Sequence, residues 1–219
     1  MSALRWKLAQ FFEQLWWKQY LTGKSKHQYL QWKQGYWQQF IMPIKKNVPT
    51  LSSEEKLQIL DAGCGPAGIF IVLQQHQITA VDPLLSQYEQ LPHFSKNDYV
   101  EVNFIETTLE KFQAEKKFDV VFCLNAINHV EDIKACINNL YASLKPKGYL
   151  VLSVDVHRHN FLKKIFQLIP GDILHPHQYS LEDYLNLLAK ENMKIVSIET
   201  IKQATIFNYV VVVVNKKLS

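Results

Sequence analysis

Cysteine is scarce in this 219-residue chain: Cys64, Cys123 and Cys136 are the only three, and no two stand in a C-x-x-C spacing. An odd, sparse set argues against a disulfide framework and fits a reducing compartment. Long apolar runs are missing too. The longest, Tyr209–Val214, falls far short of the roughly 20 residues that span a bilayer and reads as a buried strand. The front of the chain has no apolar stretch of the signal-peptide kind, so the expectation is a soluble, cytoplasmic protein. A strong charge of one sign is also absent. The formal charge of +4 gives no reason to expect a nucleic-acid partner. There is no internal repeat and no low-complexity segment, and the length suits one domain or one domain with an appendage.

What the chain has, it distributes unevenly. Up to Lys56 there are nine Lys and Arg against three acids, whereas the remainder is slightly acidic. All five tryptophans lie in that first segment, the last at Trp37. Residues 3–21 have helical spacing, with Leu4, Leu8, Phe11, Phe12 and Leu15 on one stripe and Gly23 placed as a C-cap. Residues 27–41 repeat the pattern through Tyr29, Tyr36, Trp37, Phe40 and Ile41, with Lys33 inside the stripe and Pro43 and Pro49 closing the segment. Residues 1–56 are therefore expected to form a two-helix cap, and residues 57–219 the main domain.

From Leu57 the period changes. Strands are expected at 57–60, 78–81, 100–105, 120–124 and 149–154, with helices between them: one after the glycines to about Gln75, one over 84–91 and one over 133–144. Such alternation gives a parallel sheet covered on both faces, an α/β three-layer sandwich. The tail differs. Ser180 and Asp183 form a capping box for a helix over 180–190, and strands at 194–201 and 207–214 follow. Too few residues separate these two for a parallel crossover, so they must pair as an antiparallel hairpin.

The most informative stretch is Ile59-Leu60-Asp61-Ala62-Gly63-Cys64-Gly65-Pro66-Ala67-Gly68. A strand runs into a tight turn, and Gly63 and Gly65 let backbone approach a ligand. Asp82 stands 19 positions beyond Gly63, at the next strand end, where a carboxylate can accept from a ribose diol. The same glycines satisfy the dinucleotide pattern G-x-G-x-x-G, so a nicotinamide oxidoreductase is a rival reading. A glycine turn that binds nothing is another. Three features favour a sulfonium cofactor. Asp61, just before the loop, would repel a pyrophosphate but suits a cation. Too little chain remains for a separate catalytic domain. The closing antiparallel hairpin is foreign to the doubled mononucleotide fold.

Residues 57–214 resemble the class I, seven-stranded, Rossmann-like S-adenosylmethionine-dependent methyltransferases, most closely the group acting on small molecules. Ile59–Gly68 matches the first motif of that family, Val81-Asp82-Pro83 the second, Phe118-Asp119-Val120-Val121 the fourth-strand motif, and Leu144–Leu150 the turn into the fifth strand. The resemblance implies a mostly parallel seven-stranded sheet with an antiparallel C-terminal hairpin, S-adenosylmethionine as cofactor and S-adenosylhomocysteine as product. It implies that Asp61, Gly63, Cys64, Gly65, Asp82, Pro83 and Asn125 contact the cofactor. One departure concerns adenine. The acid often found after the third strand is replaced by Thr108, and alternation turns Glu106 elsewhere, so Thr108 and Leu109 are the adenine candidates.

Methyl transfer needs alignment, and an oxygen nucleophile must also lose its proton. His129, just after the fourth strand, is the candidate general base, with a packing histidine as the alternative; His177 is a second candidate. Asn128 and His157 are expected near the acceptor, and Tyr29, Tyr36 and Trp37 as apolar walls of a lid. Lys33 is expected to reach water rather than the cofactor. The His157/His159 and His175/His177 pairs lack a completing ligand set, so no metal is expected. Trp6, Trp16 and Trp17 beside Arg5, Lys7 and Lys18 give residues 3–21 the character of an interfacial helix, and hence a peripheral membrane contact and an apolar, lipid- or quinone-like acceptor. A cofactor-binding regulatory protein without transferase activity is the main alternative to an enzyme. Neither the acceptor atom nor the oligomeric state follows from the residues.

Overall fold

A computed structural model describes residue 12 and residues 15–157, 179–189, 192–203 and 207–218. Residues 15–21 are helical, and α1 (Lys26–Asn47) follows, capped by the Ser25 side chain, which accepts from the Gln28 amide. Seven strands form one sheet: β1 (Gln58–Ala62), β2 (Gln77–Val81), β3 (Val102–Ile105), β4 (Phe118–Leu124), β5 (Leu144–His157), β6 (Met193–Gln203) and β7 (Phe207–Lys216). Three further helices are α2 (Leu85–Tyr88), α3 (Ile133–Ser143) and α4 (Leu181–Leu188). The order across the sheet is β3-β2-β1-β4-β5-β7-β6. The first five strands are parallel; β7 lies antiparallel between β5 and β6. The expected Rossmann-like architecture with its C-terminal hairpin is the one observed.

Alternation along the strands sorts side chains into two cores. Ile59, Val120, Phe122, Val151, Val211 and Val213 pack with α1 on one face. Leu60, Val121, Cys123, Leu150, Leu152 and Val212 pack with α3 and α4 on the other. The strand order reverses between β1 and β4. Ligands of open α/β sheets bind at such a switch point, beyond the carboxyl ends of the strands.

Several boundaries differ from the expected ones for identifiable reasons. No helix follows the glycine loop; two short 3-10 turns, Gly65–Ala67 and Ile69–Val72, stand there instead. The amide of Phe70 is taken by Asp61 Oδ2 at 3.1 Å, and Ile69, Phe70 and Ile71 are all buried, leaving no polar face for a surface helix. Pro43 does not close its helix. α1 runs through it to Asn47, and Gln39, whose carbonyl loses a partner to the proline ring, is exposed to water. Val100 is 84% exposed and precedes β3 rather than opening it. β5 reaches back to Leu144, which pairs with Phe118; the pairing resumes at Tyr149 with Val120 after an irregularity. The capping box at Ser180 and Asp183 is present as expected.

Candidate functional site

The site is built where β1 and β2 end. Asp61 is buried, and the bond from Phe70 ties the last turn of the loop back to the strand. The amides of Gly63 and Cys64 both donate to the Val81 carbonyl, at 2.7 and 3.1 Å, which curls the loop over the end of β2. Gly63 has φ +76, and a Cβ there would stand 2.3 Å from the Ala126 Cβ. Gly65 also has positive φ, +57, with Trp17 nearest to where its side chain would be. At Gly68 a Cβ would meet Asp61 Oδ2 and the Cys64 carbonyl at 2.4 Å each. Gly63 and Gly68 thus serve the loop's own packing, while Gly65 leaves its outer side open to the cap.

Asp82 stands at the end of β2, buried. Its Oδ2 accepts from the Gly65 amide at 3.0 Å and its Oδ1 from the Leu84 amide at 2.9 Å. Burial pushes the Asp61 carboxyl up to about 7, with the neighbouring Asp82 charge adding to the rise and the Phe70 amide opposing it. Burial likewise pushes the Cys64 thiol well up. Lys33 supplies a counter-charge, and burial lowers it to about 8 although Asp61 draws it back up. Its Nζ lies 5.5, 5.7 and 5.3 Å from the ring centres of Trp32, Tyr36 and Trp37. Lys33 therefore faces the site rather than water, contrary to the sequence expectation, because three rings wall it in.

The cap closes over this loop. Trp37 is buried and donates from Nε1 to the Ala67 carbonyl at 2.9 Å. Tyr36 lies beside it, partly exposed. Tyr29 is brought elsewhere: it is buried among Tyr20, Trp32 and His93 and packs the cap itself. Asn125, exposed and with φ +53, turns the chain out of β4; its amide bonds both the carbonyl and Oγ of Ser153 at 3.0 Å. Asn128 is buried with Oδ1 unpartnered, and His129 is half-buried. Pro83 and Thr108 are half-buried, and Leu109 is buried in the core under α3. Glu106 accepts from the Ser86 amide and hydroxyl. His157 ends β5 opposite Phe207; His159, His175 and His177 lie outside the described residues.

Sequence reasoning passed over three polar residues on the α1 face of the sheet: Ser153, Asp155 and Tyr209. Period-two alternation from Val151, which packs under α1, carries Ser153 and Asp155 to that face. The signal was available, but the apolar run on either side drew attention to the strands as core.

A glycine turn between two buried carboxylates stands at the switch point of the sheet, an arrangement that would suit a cationic, ribose-bearing cofactor. Residues 32–198 match the family model described as a methyltransferase domain, and the chain belongs to that family. It is 38% identical over 112 residues to the ubiquinone biosynthesis O-methyltransferase of Rickettsia felis, covering 50% of this chain and 46% of that one. With the Rickettsia canadensis enzyme of the same description it is 37% identical over 127 residues, 57% of this chain and 52% of that one. The chain thus spans about half the length of the curated relatives it matches. Among solved structures, the magnesium protoporphyrin IX methyltransferase of Synechocystis with bound S-adenosylhomocysteine shares the fold, with TM-score 0.60, 20% identity and coverage of 82% of this chain and 83% of that one. So does the Burkholderia thailandensis 1,6-didemethyltoxoflavin-N1-methyltransferase, with TM-score 0.59, 18% identity and coverage of 81% and 78%. The family's cofactor is S-adenosylmethionine, and the residues fit it: the paired carboxylates would suit a sulfonium and ammonium, and Asp82 a ribose.

Two outcomes follow. Asp61 is held above its unfolded value, so the native state keeps a proton that the unfolded state has lost, and the free protein should lose stability as pH rises from about 4 to about 7. Chemical denaturation across that window should show the fall in wild type and a flatter profile in Asp61→Asn; identical profiles would remove the buried carboxyl from the account. Gly63→Ala should cost about 1–3 kcal/mol in the same assay, from overpacking and positive φ together. Adding Ala126→Gly should recover part of the loss but not the part due to φ.

Proposed function

We propose that the chain moves a methyl group from S-adenosylmethionine to an oxygen of a small, largely apolar ring acceptor, of the kind that quinone-building enzymes methylate. The observation that carries the cofactor half is the buried Asp61–Asp82 pair flanking the glycine loop. The acceptor half rests on the curated O-methyltransferase relatives and on the rings of Tyr36 and Trp37 beside the cradle.

When bound, the cofactor supplies an electrophilic methyl carbon with a neutral leaving group. The chain's own task is to align and to manage a proton. Asp82 holds the ribose, the loop backbone holds the amino-acid end, and Lys33 is placed for the cofactor's carboxylate. The α1 roof excludes water and holds the acceptor ring against the methyl. His129, beyond β4, is the base proposed for an acceptor proton.

A membrane-borne acceptor fits the outer surface of the cap. Phe12, Leu15, Trp16 and Trp32 are 43–52% exposed there, in the segment that carries the basic excess. Among the described residues no helix is long and apolar enough to cross a membrane, so the contact would be peripheral.

Replacing Asp82 by Ala should weaken S-adenosylhomocysteine binding at least about ten-fold by calorimetry, the scale of one charge-assisted hydrogen bond; unchanged affinity would overturn the cofactor site. In sedimentation with vesicles, the full chain should pellet with phosphatidylglycerol and much less with phosphatidylcholine, and Trp16→Ser with Trp32→Ser should reduce the pelleted fraction. Equal pelleting of wild type and double variant would remove the cap from the membrane contact.

A further inference from the structure

We propose that the cavity between the 15–21 helix and the loop over 90–93 binds the phosphodiester of an anionic phospholipid, through the ammonium groups of Lys18 and Lys24. The inference rests on the peripheral membrane contact proposed above and gives that contact a headgroup site, one that no residue of the glycine loop lines.

The turn that ends the helix builds the site. Gly23, with φ +78, reverses the chain in the left-handed conformation that suits glycine. The Lys24 amide then donates back to the Leu21 carbonyl at 3.1 Å, and the Thr22 hydroxyl to the Lys18 carbonyl at 2.8 Å. Lys18 and Lys24 are thereby brought to one cavity of about 380 Å3. Leu21 and Leu91, both buried, and Pro92 give it apolar walls.

His93 fixes the turn from the other side. Its Nε2 lies 2.7 Å from the Lys24 carbonyl. A carbonyl only accepts, so Nε2 carries the hydrogen. The residue is 6% exposed, and its Nδ1 is buried without a partner. An unmatched buried polar atom in a cavity wall calls for an explanation. Nδ1 gains a hydrogen only when the ring is charged, and an anion between the two lysines stabilises that charge.

Charge selects the ligand. No acid lines the cavity. The acids near it in sequence are matched elsewhere: Glu89 pairs with Lys96 at 3.0 Å and Asp98 with Lys26 at 2.7 Å. Neither Lys18 nor Lys24 forms an ion pair among the described residues. Lys24 Nζ instead sits 3.4 Å from the centre of the Tyr20 ring. Two ammoniums without an acid suit an anion, and an acid-free lining offers nothing to a choline.

The neighbouring rings favour a lipid over a free anion. Tyr20, which carries the Lys24 ammonium, stacks on Trp16 with ring centres 4.8 Å apart. Tyr29, edge-on to His93 at 5.7 Å, also meets Tyr20 and Trp32 at 6.4 Å each. Trp16 and Trp32 are the exposed indoles of the cap. The cavity therefore stands one ring away from the side chains that would enter the interface. Indoles at headgroup depth with lysines reaching phosphate make an interfacial surface.

The full chain would be titrated by calorimetry with dihexanoyl-phosphatidylglycerol below its micelle concentration, with dihexanoyl-phosphatidylcholine and with inorganic phosphate. Wild type should bind the first more tightly than either of the others. Lys18→Gln with Lys24→Gln should weaken that binding at least about ten-fold, at roughly five-fold per lysine, with S-adenosylhomocysteine affinity unchanged. Lys45→Gln with Lys46→Gln, the same charge change in the last turn of α1, should leave it unaltered. Equal losses in the two double variants would reduce the cavity to general surface charge and overturn the site. So would failure to bind the soluble lipid. Inorganic phosphate bound as tightly as the lipid would overturn the lipid assignment. The membrane reading fails separately. Wild type that binds the soluble lipid but does not pellet with phosphatidylglycerol vesicles keeps the site and loses the docking. Pelleting that depends on Trp16 and Trp32 but not on Lys18 and Lys24 keeps the docking and overturns the site.

Discussion

Two carboxylates brought together at the ends of adjacent strands are the constraint around which the rest is arranged. Asp61 and Asp82 are both nearly inaccessible to water, and each is spent partly on backbone amides: Asp61 on Phe70, Asp82 on Gly65 of the loop and on Leu84 just beyond the strand. Paired acids without a matching cation are costly inside a protein. The chain relieves the cost in two ways, by donating three amides and by lifting Asp61 toward the neutral form. The three amide bonds hold the loop in its curled shape. The cradle is shaped by its own electrostatic discomfort.

That constraint explains why the cap is not an appendage. α1 contributes Trp37 to the Ala67 carbonyl and Lys33 to the neighbourhood of Asp61, so one helix closes the loop sterically and answers its charge. Its inner residues join the same core as β1, β4, β5 and β7. A helix bound at Trp37 to the Ala67 carbonyl carries the partly exposed Tyr36 one residue away.

What could be read in the residues was whatever depends on local period. The strands, the hairpin and the Ser180 cap follow from alternation, connection length and a capping pattern, and all are present. The helix expected after the glycines failed because its fate turns on Asp61 nine positions earlier taking the Phe70 amide, a bond that no local pattern announces. Pro43 misled for the opposite reason: a proline rule assumes a carbonyl left without a partner inside protein, and Gln39 is exposed. Lys33 was read as a surface lysine because the rings that wall it in are neighbours only once α1 folds over the loop.

The same distinction governs the search for a base. Histidine is the residue one looks for, and His129 stands where a strand mouth is expected, so it carries the sequence reading. Its backbone belongs to a short turn whose flanking Ile127 and Val130 pack on the α3 side. Asp155 stands among valines in a strand that reads as core, and only the sheet order reveals that this strand overhangs the end of β4 with its polar residues beneath α1.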